Sequence, residues 1–222
     1  MTLNSAAIIL GIGLALALPA QAQGRCWTST DYVDLYFRQF NGQVPLPHLR
    51  SPEQKALFEH LIDPCNLTQI VEQPVADEEK LRQLRIILAS LGSFRAAYEV
   101  AVMVGEPLEQ ELAAVQAYSL QAAEAELSID RLAPNREGST AAWVTLVAGV
   151  LDSIGNTERY TPSQAILMAD AVTRYYPAIS VALGEADRQR LRAKVLNLAP
   201  KSEDARFLRA IARMKEVVAA LP

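Results

Sequence analysis

The sequence predicts an all-α fold, either an irregular multi-helix bundle or a short helical array, with about ten helices. After Cys26, apolar residues recur at three- and four-residue spacings, which is the period of one face of an α-helix. Alternation of apolar and polar residues with a period of two, which is typical of strands, is nearly absent. Half of the 222 residues are hydrophobic, which is enough for a sizeable core.

Residues 1–22 have the features of a cleaved signal peptide. An apolar run from Ala6 to Leu18 is followed by Pro19-Ala20-Gln21-Ala22, which has the small-x-small pattern of a signal-peptidase site. The run is shorter than the about 20 apolar residues that cross a membrane, and Pro19 ends it. We therefore expect a periplasmic or secreted chain that does not span the membrane, although no Lys or Arg precedes the apolar run.

The segment 23–75 is expected to be stapled by a disulfide. The chain has two cysteines, Cys26 and Cys65, and both fall early in the exported part. In an oxidising compartment such a pair tends to be bridged. The alternative is two separate buried thiols. A bridge would stabilise the fold by ~4 kcal/mol, because it limits the freedom of the unfolded chain.

Three helices are predicted in residues 23–75. Thr30 is placed to cap the first helix, which ends at Asn41-Gly42. The prolines between Val44 and His48 exclude a helix there, so this stretch is expected to be an extended loop. Ser51-Pro52-Glu53-Gln54 has the pattern of an N-cap, a first-turn proline and a capping-box glutamine. Asp63-Pro64 starts a third, shorter helix.

The segment 76–222 is predicted to be a helical bundle that forms one continuous domain with residues 23–75. Apolar residues from Leu81 to Leu91 give one amphipathic helix that ends at Gly92. A second helix runs from Phe94 to Val104. We expect these two helices to form a hairpin.

The remaining helices are expected to be separated by prolines. A long Ala- and Glu-rich helix begins at Pro107 and reaches Leu132. Residues 141–154 are apolar nearly all round, so they are expected to form the central, buried helix. A second capping box at Thr161–Gln164 starts the following helix. Three prolines are expected to divide this half of the chain: Pro134, Pro177 and Pro200.

No motif in the sequence identifies a reaction. A zinc site needs three or four ligands at set spacings, and the two histidines, His48 and His60, belong to no such pattern. Nucleophile elbows and phosphate-binding loops are also missing from the mature part. We therefore assign no catalytic residue, no metal ligand and no cofactor. Carboxylates for glycoside hydrolysis are present, but the sequence does not bring two of them together: Asp31, Asp34, Glu53, Glu59 and Asp63.

Aromatic residues are concentrated in the first helix and just before it. They share three- and four-residue spacings and precede the loop that contains Pro45 and Pro47: Trp27, Tyr32, Tyr36, Phe37 and Phe40. Aromatic rings in such a group suit a groove for a peptide or a sugar. The alternative, which we favour, is that they form a rigid core together with the disulfide.

Two basic stripes are predicted in the C-terminal third. Residues from Arg159 onward include 11 Lys and Arg against 6 Asp and Glu, although the whole chain has a net charge of −4. The stripes are Arg188 and Arg192 on one helix and Arg206, Arg209 and Arg213 on the next, opposite Leu208, Ile211 and Val218. These arginines could bind an anionic protein or an anionic surface. The alternative is that they pair with neighbouring acidic residues and with water. The acidic overall charge argues against nucleic acid as a partner.

These observations favour a non-enzymatic protein of the cell envelope that acts through protein–protein contacts, as an adaptor or chaperone-like factor. Many helices and no clustered titratable groups favour a contact surface over a reaction centre. One alternative is an exported hydrolase that acts on wall or sugar polymers. Another is a bundle that binds a lipid or apolar ligand, which would require a sizeable cavity near Trp143.

Overall fold

The computed structural model describes residues 25–129 and 137–221. Within these ranges the chain has nine helices and no strand, which confirms the predicted fold class and replaces the expected count of about ten. The helices are α1 (Ser29–Phe40), α2 (Pro52–Leu61), α3 (Cys65–Glu72), α4 (Asp77–Met103), α5 (Glu109–Ile129), α6 (Glu137–Gly155), α7 (Pro162–Ala182), α8 (Glu185–Leu196) and α9 (Ala205–Ala219). The predicted signal peptide, residues 1–22, lies outside the described residues, as do Leu132 and Pro134.

The prediction that Gly92 ends a helix is wrong. Helix α4 runs through it as one 27-residue helix, so the expected hairpin does not form. A glycine inside a helix costs about 1 kcal/mol relative to alanine. Leu91 and Phe94, on either side of it, are both buried in the core. The burial of these two side chains outweighs the cost of the glycine.

The prediction that Pro177 separates two helices is also wrong. Helix α7 contains this proline in its interior. Proline has no N–H to donate to the carbonyl four residues earlier, which costs about 3 kcal/mol in a helix. Tyr176 and Ile179 beside it are fully buried, and the Ser180 hydroxyl donates to the Pro177 carbonyl at 2.8 Å. Packing on both sides of the proline therefore keeps the helix continuous.

The central helix is α5, not the helix of residues 141–154 that the sequence favoured. Helix α5 packs against both α4 and α7, and most of its side chains are buried. They include the polar residues Glu111, Gln116 and Glu126. In α6, by contrast, Ala141 and Ala142 are exposed. The composition of α6 misled the prediction because an apolar helix can lie at the edge of a bundle.

The other helices complete the bundle around α5. Helix α1 packs on α4, and α3 contacts both α4 and α5. Helix α6 packs on α7, α5 and α8, while α9 packs on α7 and α8. The buried apolar side chains of the described residues form one cluster that extends from Trp27 to Val218. The assignment of residues 23–75 and 76–222 to one continuous domain stays a prediction.

The helix caps follow the sequence at two of three predicted positions. Ser51 caps α2 by accepting a hydrogen bond from the Gln54 N–H, but the predicted return bond to the Gln54 side chain does not form, and the Gln54 Oε1 atom is buried without a partner among the described residues. Thr161 forms the complete capping box of α7: it accepts from the Gln164 N–H, and its own N–H donates to the Gln164 side chain. At α1 the cap is Thr28, not Thr30. The Thr28 N–H and hydroxyl both donate to Asp31, at 2.7 and 2.8 Å. Asp31 occupies the third helical position, where a carboxylate completes a capping box.

Candidate functional site

The structure divides the aromatic group of α1 into a buried part and an exposed part. Trp27 and Tyr32 are in the core, and Tyr36 is half-buried. Phe37 and Phe40 are 55% and 72% exposed. The Tyr36 ring lies 5.7 Å from the Phe37 ring and 6.0 Å from the Phe40 ring, centroid to centroid. We call Tyr36, Phe37 and Phe40 the α1 aromatic patch.

The patch is anchored on the bundle. The edge of the Tyr36 ring meets the ring of Phe94 on α4, with centroids 6.4 Å apart and planes at 89°. Phe94 is buried, so the patch continues from the core to the surface. The four residues named for a ligand groove, Trp27, Tyr32, Tyr36 and Phe40, therefore do not share one surface.

The buried side of α1 is held by a polar network around Asn66. Its side-chain oxygen accepts from the Trp27 N–H at 2.6 Å, and its amide nitrogen donates to the His60 carbonyl at 2.7 Å. The same nitrogen lies 3.0 Å from the Tyr32 hydroxyl, which donates to the Leu61 carbonyl. Asn66 is fully buried. The sequence held no signal for this role, because Trp27 and Tyr32 lie 39 and 34 residues before Asn66 in the chain.

Two tyrosine hydroxyls extend this network. The Tyr32 and Tyr118 oxygens lie 3.2 Å apart, and Tyr118 donates to the Asp63 carbonyl at 3.0 Å. Burial is the main cause that raises the pKa of Tyr32 and of Tyr118 well above the ordinary value. Both hydroxyls therefore stay protonated and act as donors.

The disulfide predicted between Cys26 and Cys65 is present. The two Cα atoms are 5.5 Å apart, and Cys65 is the first residue of α3. The bridge joins the chain before α1 to the network around Asn66. A disulfide is compatible with an extracytoplasmic location. Secretion into the periplasm or medium stays a prediction.

Both histidines have structural contacts. The ring of His60 stacks on that of Trp27, with centroids 5.8 Å apart and planes at 10°. His48 accepts a hydrogen bond from the Arg50 N–H through Nδ1 at 3.2 Å. Among residues 25–129 and 137–221, no group of three or more His, Cys, Asp or Glu side chains is arranged to hold a metal ion.

The arginines of α8 have local partners. Arg188 pairs with Glu185 one turn earlier on the same helix. Arg192 is half-buried and donates to the carbonyls of Ala219 and Leu221, at 2.7 and 3.0 Å. These carbonyls lie at the end of α9, where a helix has no backbone partners for them. Arg192 is therefore a helix cap supplied by the neighbouring helix, a role that spacing along α8 does not reveal.

The arginines of α9 remain at the surface. Arg206 lies 3.5 Å from Asp204, the N-cap of the same helix. Arg209 and Arg213 are exposed and have no hydrogen bond or ion pair within the described part of the chain. Leu208, which was expected to lie opposite the arginines, is 43% exposed, whereas Ile211 and Val218 are buried.

A groove of about 610 Å³ lies between α4, α5 and α6. Its walls are mainly apolar or small, and we call it the α4–α6 groove. The residues along it include Leu88, Ala89, Gly92, Ala141, Ala142, Trp143 and Leu146. The sequence predicts a cavity near Trp143 if the protein binds an apolar ligand. It does not predict that Gly92 lines that cavity.

Two arginines of α4 reach this groove. Arg85 donates to Glu126 at 2.8 Å, and Glu126 is 2% exposed, so the arginine balances a buried carboxylate. Arg95 lies 3.5 Å from Glu99, an ion-pair distance without hydrogen-bond geometry. Among the residues that the structure describes, the buried Nε of Arg95 has no hydrogen-bond partner.

A smaller cavity of about 250 Å³ has polar walls that include Glu99, Gln116, Asp152 and Tyr160. Asp152 is exposed and pairs with Lys194 at 2.7 Å, and Glu99 lies beside Arg95. Glycoside hydrolysis needs two carboxyl groups facing one bond, one of them protonated. Each of these two carboxylates instead faces a basic side chain, Lys194 or Arg95.

By length and composition, α4 is the one helix among the described residues that could cross a membrane, and a third of its most apolar stretch is buried. The core helices of soluble proteins also meet this criterion, so the expected absence of a membrane span stays a prediction. Comparison with known proteins found no matching family model, no matching curated protein and no matching solved structure.

Proposed function

We propose that the chain is an exported, non-enzymatic helical protein that acts through contacts with another protein of the cell envelope, as an adaptor or chaperone-like factor. The α1 aromatic patch is the observation that carries this proposal. Two phenylalanine rings that remain more than half exposed, side by side on one helix, leave a costly apolar surface in water. Aromatic side chains are the residues that dominate the binding energy of protein interfaces.

The surroundings of the patch support this role. The Tyr36 ring contacts the rings of Phe37 and Phe40, and it packs against the buried ring of Phe94. The exposed rings are therefore attached to a helix that is packed on the core. The disulfide and the Asn66 network fix the start of α1 to α3. Binding through a preorganised surface loses less side-chain entropy than binding through a mobile one. The partner is expected to present an apolar pocket for the Phe40 ring.

The exposed arginines of α9 form a second candidate surface. Arg209 and Arg213 make no ion pair among the described residues, whereas Arg188 and Arg192 are engaged within the fold. An acidic partner would be attracted to this face, mainly through a faster association rate. The two surfaces can be tested separately.

The test is affinity isolation of the tagged mature protein from its native envelope after mild crosslinking. We expect one partner to be lost with Phe37→Ser/Phe40→Ser and retained with Val181→Ser. Val181 is a matched control because it is 72% exposed, as is Phe40, but lies on α7. The charge reversal Arg206→Glu/Arg209→Glu/Arg213→Glu tests the second surface.

The outcomes separate the alternatives. If the partner still binds both Phe37→Ser/Phe40→Ser and Val181→Ser, the interface lies outside the α1 aromatic patch. If only the triple arginine variant loses the partner, the interface lies on α9. Capture of no partner by any variant would refute the adaptor proposal. The hydrolase alternative has less support, because Asp31 is bonded to Thr28 and Arg25 and Asp63 accepts from the Cys65 N–H at 2.9 Å, so both carboxylates have structural partners.

A further inference from the structure

We propose that the α4–α6 groove binds an amphipathic carboxylate, a small molecule with an apolar tail and one carboxylate head. The tail would lie along Gly92, Trp143 and Leu146, and the head would bind Arg95. This site is independent of the α1 aromatic patch and goes beyond the proposed function. The apolar walls, the charge and the size of the groove each support the inference.

The walls of the groove come from two apolar helices that the bundle leaves partly uncovered. Helix α4 contains the most apolar long stretch among the described residues, yet two thirds of that stretch is not buried. Residues Thr140–Gly155 of α6 form the second apolar helix of the described chain. Ala141 and Ala142 are exposed where the two helices face the groove. An apolar tail would bury these surfaces and gain the free energy of their removal from water.

The charge in the groove selects the head group. Arg85 is already matched by the buried Glu126, so it adds little net charge. Arg95 lies 3.5 Å from Glu99, but its guanidinium makes no hydrogen bond among the described residues, and its side chain is 23% exposed beside the groove, so it keeps N–H donors for a second carboxylate. A guanidinium group binds a carboxylate through two parallel N–H···O bonds. A carboxylate head would therefore bind Arg95 better than an uncharged head of the same size.

The size and shape of the groove favour a small molecule over a flat protein surface. Its volume of about 610 Å³ falls within the roughly 300–1,000 Å³ range of small-ligand sites. Such sites combine mostly apolar walls with a few polar groups that orient the ligand. Gly92 keeps the α4 wall open, because a Cβ added there would meet no described atom within 4 Å.

The first experiment compares decanoate with 1-decanol, which have the same tail length and differ in the charge of the head. Affinities are measured by calorimetry, and the location is reported by Trp143 fluorescence in a Trp27→Phe background, which leaves one tryptophan. We expect decanoate to bind about tenfold more tightly, the usual effect of a hydrogen bond to a charged group. Arg95→Met should remove this preference, and Arg82→Met, an exposed arginine of the same helix, should retain it.

A second pair of variants tests the location at two helical glycines where an added Cβ meets no described atom within 4 Å. Gly92→Leu places a side chain in the groove and raises helix propensity. Gly149→Leu is the matched control, because Gly149 is also a helical glycine with no described atom near its added Cβ, but it lines the smaller cavity. We expect Gly92→Leu to weaken decanoate binding at least tenfold at an unchanged melting temperature, and Gly149→Leu to leave the affinity within twofold.

Three results would overturn the inference. They are the absence of decanoate binding, equal binding of decanoate and decanol, and binding that Gly92→Leu leaves intact. Phosphatidylglycerol vesicles provide the remaining arm. The protein could float with these vesicles and yet fail to bind free decanoate. If Gly92→Leu then abolished flotation, the groove would be assigned to a membrane surface instead. The Phe37→Ser/Phe40→Ser variant should bind decanoate normally, so this site can fail or hold independently of the adaptor proposal.

Discussion

At the scale of single residues, Asn66 joins the chain around the start of α1 to the end of α2. Its side chain contacts the backbone before α1, the end of α2 and the ring hydroxyl of Tyr32. It is also part of the sequence Asn66-Leu67-Thr68, a pattern for N-glycosylation. Because the amide is fully buried and hydrogen-bonded, it cannot carry a sugar in the folded chain.

Asn66→Ala should lower the free energy of unfolding by about 3 kcal/mol. The substitution leaves the buried Trp27 N–H without an acceptor, which costs about 1–3 kcal/mol, and it removes the hydrogen bonds to Tyr32 and to the His60 carbonyl. The His60 carbonyl still accepts from the Asp63 N–H at 3.3 Å. Urea unfolding of the oxidised protein measures the loss. Asn197→Ala, at an exposed position after α8, should change stability by less than about 0.5 kcal/mol. A loss as small as that of the control would show that the network contributes little.

Asp31 should make folding stability depend on acidic pH. Burial would raise the pKa of Asp31, but hydrogen bonds from Arg25 and Thr28 outweigh it and hold the pKa below the ordinary value. A carboxyl whose pKa is lower in the folded than in the unfolded state stabilises the fold. The effect is complete when the pH is above the unfolded-state pKa, about 3.9, and is lost as the pH falls through the folded-state pKa.

Asp31→Asn should therefore cost about 1 kcal/mol at neutral pH, the usual effect of a helix cap. The difference between wild type and Asp31→Asn should be constant from about pH 7 to 5 and should narrow below about pH 4. Chemical unfolding across this range measures it, with Asp170→Asn, an exposed carboxyl of α7, as the control. A difference that grows toward low pH would contradict the assignment.

At the scale of helices, the sequence predicted element type well and the ends of two elements poorly. The apolar period and the caps at Ser51 and Thr161 depend on nearby residues, and both are confirmed. Gly92 and Pro177 are local helix breakers that tertiary packing overrides, and the energy of packing cannot be read from neighbouring residues. The same limit applies to Arg192, whose contacts lie on another helix.

Arg192→Met should loosen the end of α9. It removes two charged hydrogen bonds to the carbonyls of Ala219 and Leu221, and the expected loss of stability is about 2 kcal/mol. Hydrogen exchange should accelerate in the last turn of α9 and stay unchanged in α5. Arg190→Met is the matched control, because Arg190 is exposed and, among the described residues, pairs only with Asp187 on its own helix. Equal effects of the two variants would contradict a capping role for Arg192.

At the scale of the whole molecule, the disulfide and the Asn66 network fasten the first three helices to a bundle centred on α5. The bridge spans 39 residues of sequence. Closing a loop of this length should stabilise the fold by ~4 kcal/mol through the unfolded chain. Dithiothreitol should therefore lower the urea midpoint of wild type toward that of Cys26→Ser/Cys65→Ser, which should not respond. An unchanged wild-type midpoint would indicate that the bridge adds little.

Export of the chain is the premise on which both the disulfide and an envelope partner depend. Small residues at Ala20 and Ala22 suit the pockets of a signal peptidase, and the residue between them does not enter those pockets. In the native cell we expect the exported protein to begin at Gln23, as read by N-terminal sequencing of the oxidised form. Ala22→Arg should block cleavage, and the matched variant Gln21→Arg should not. An intact Met1 on protein recovered from the cytoplasm would remove the premise, because thiols there are kept reduced and the chain would not meet an envelope partner.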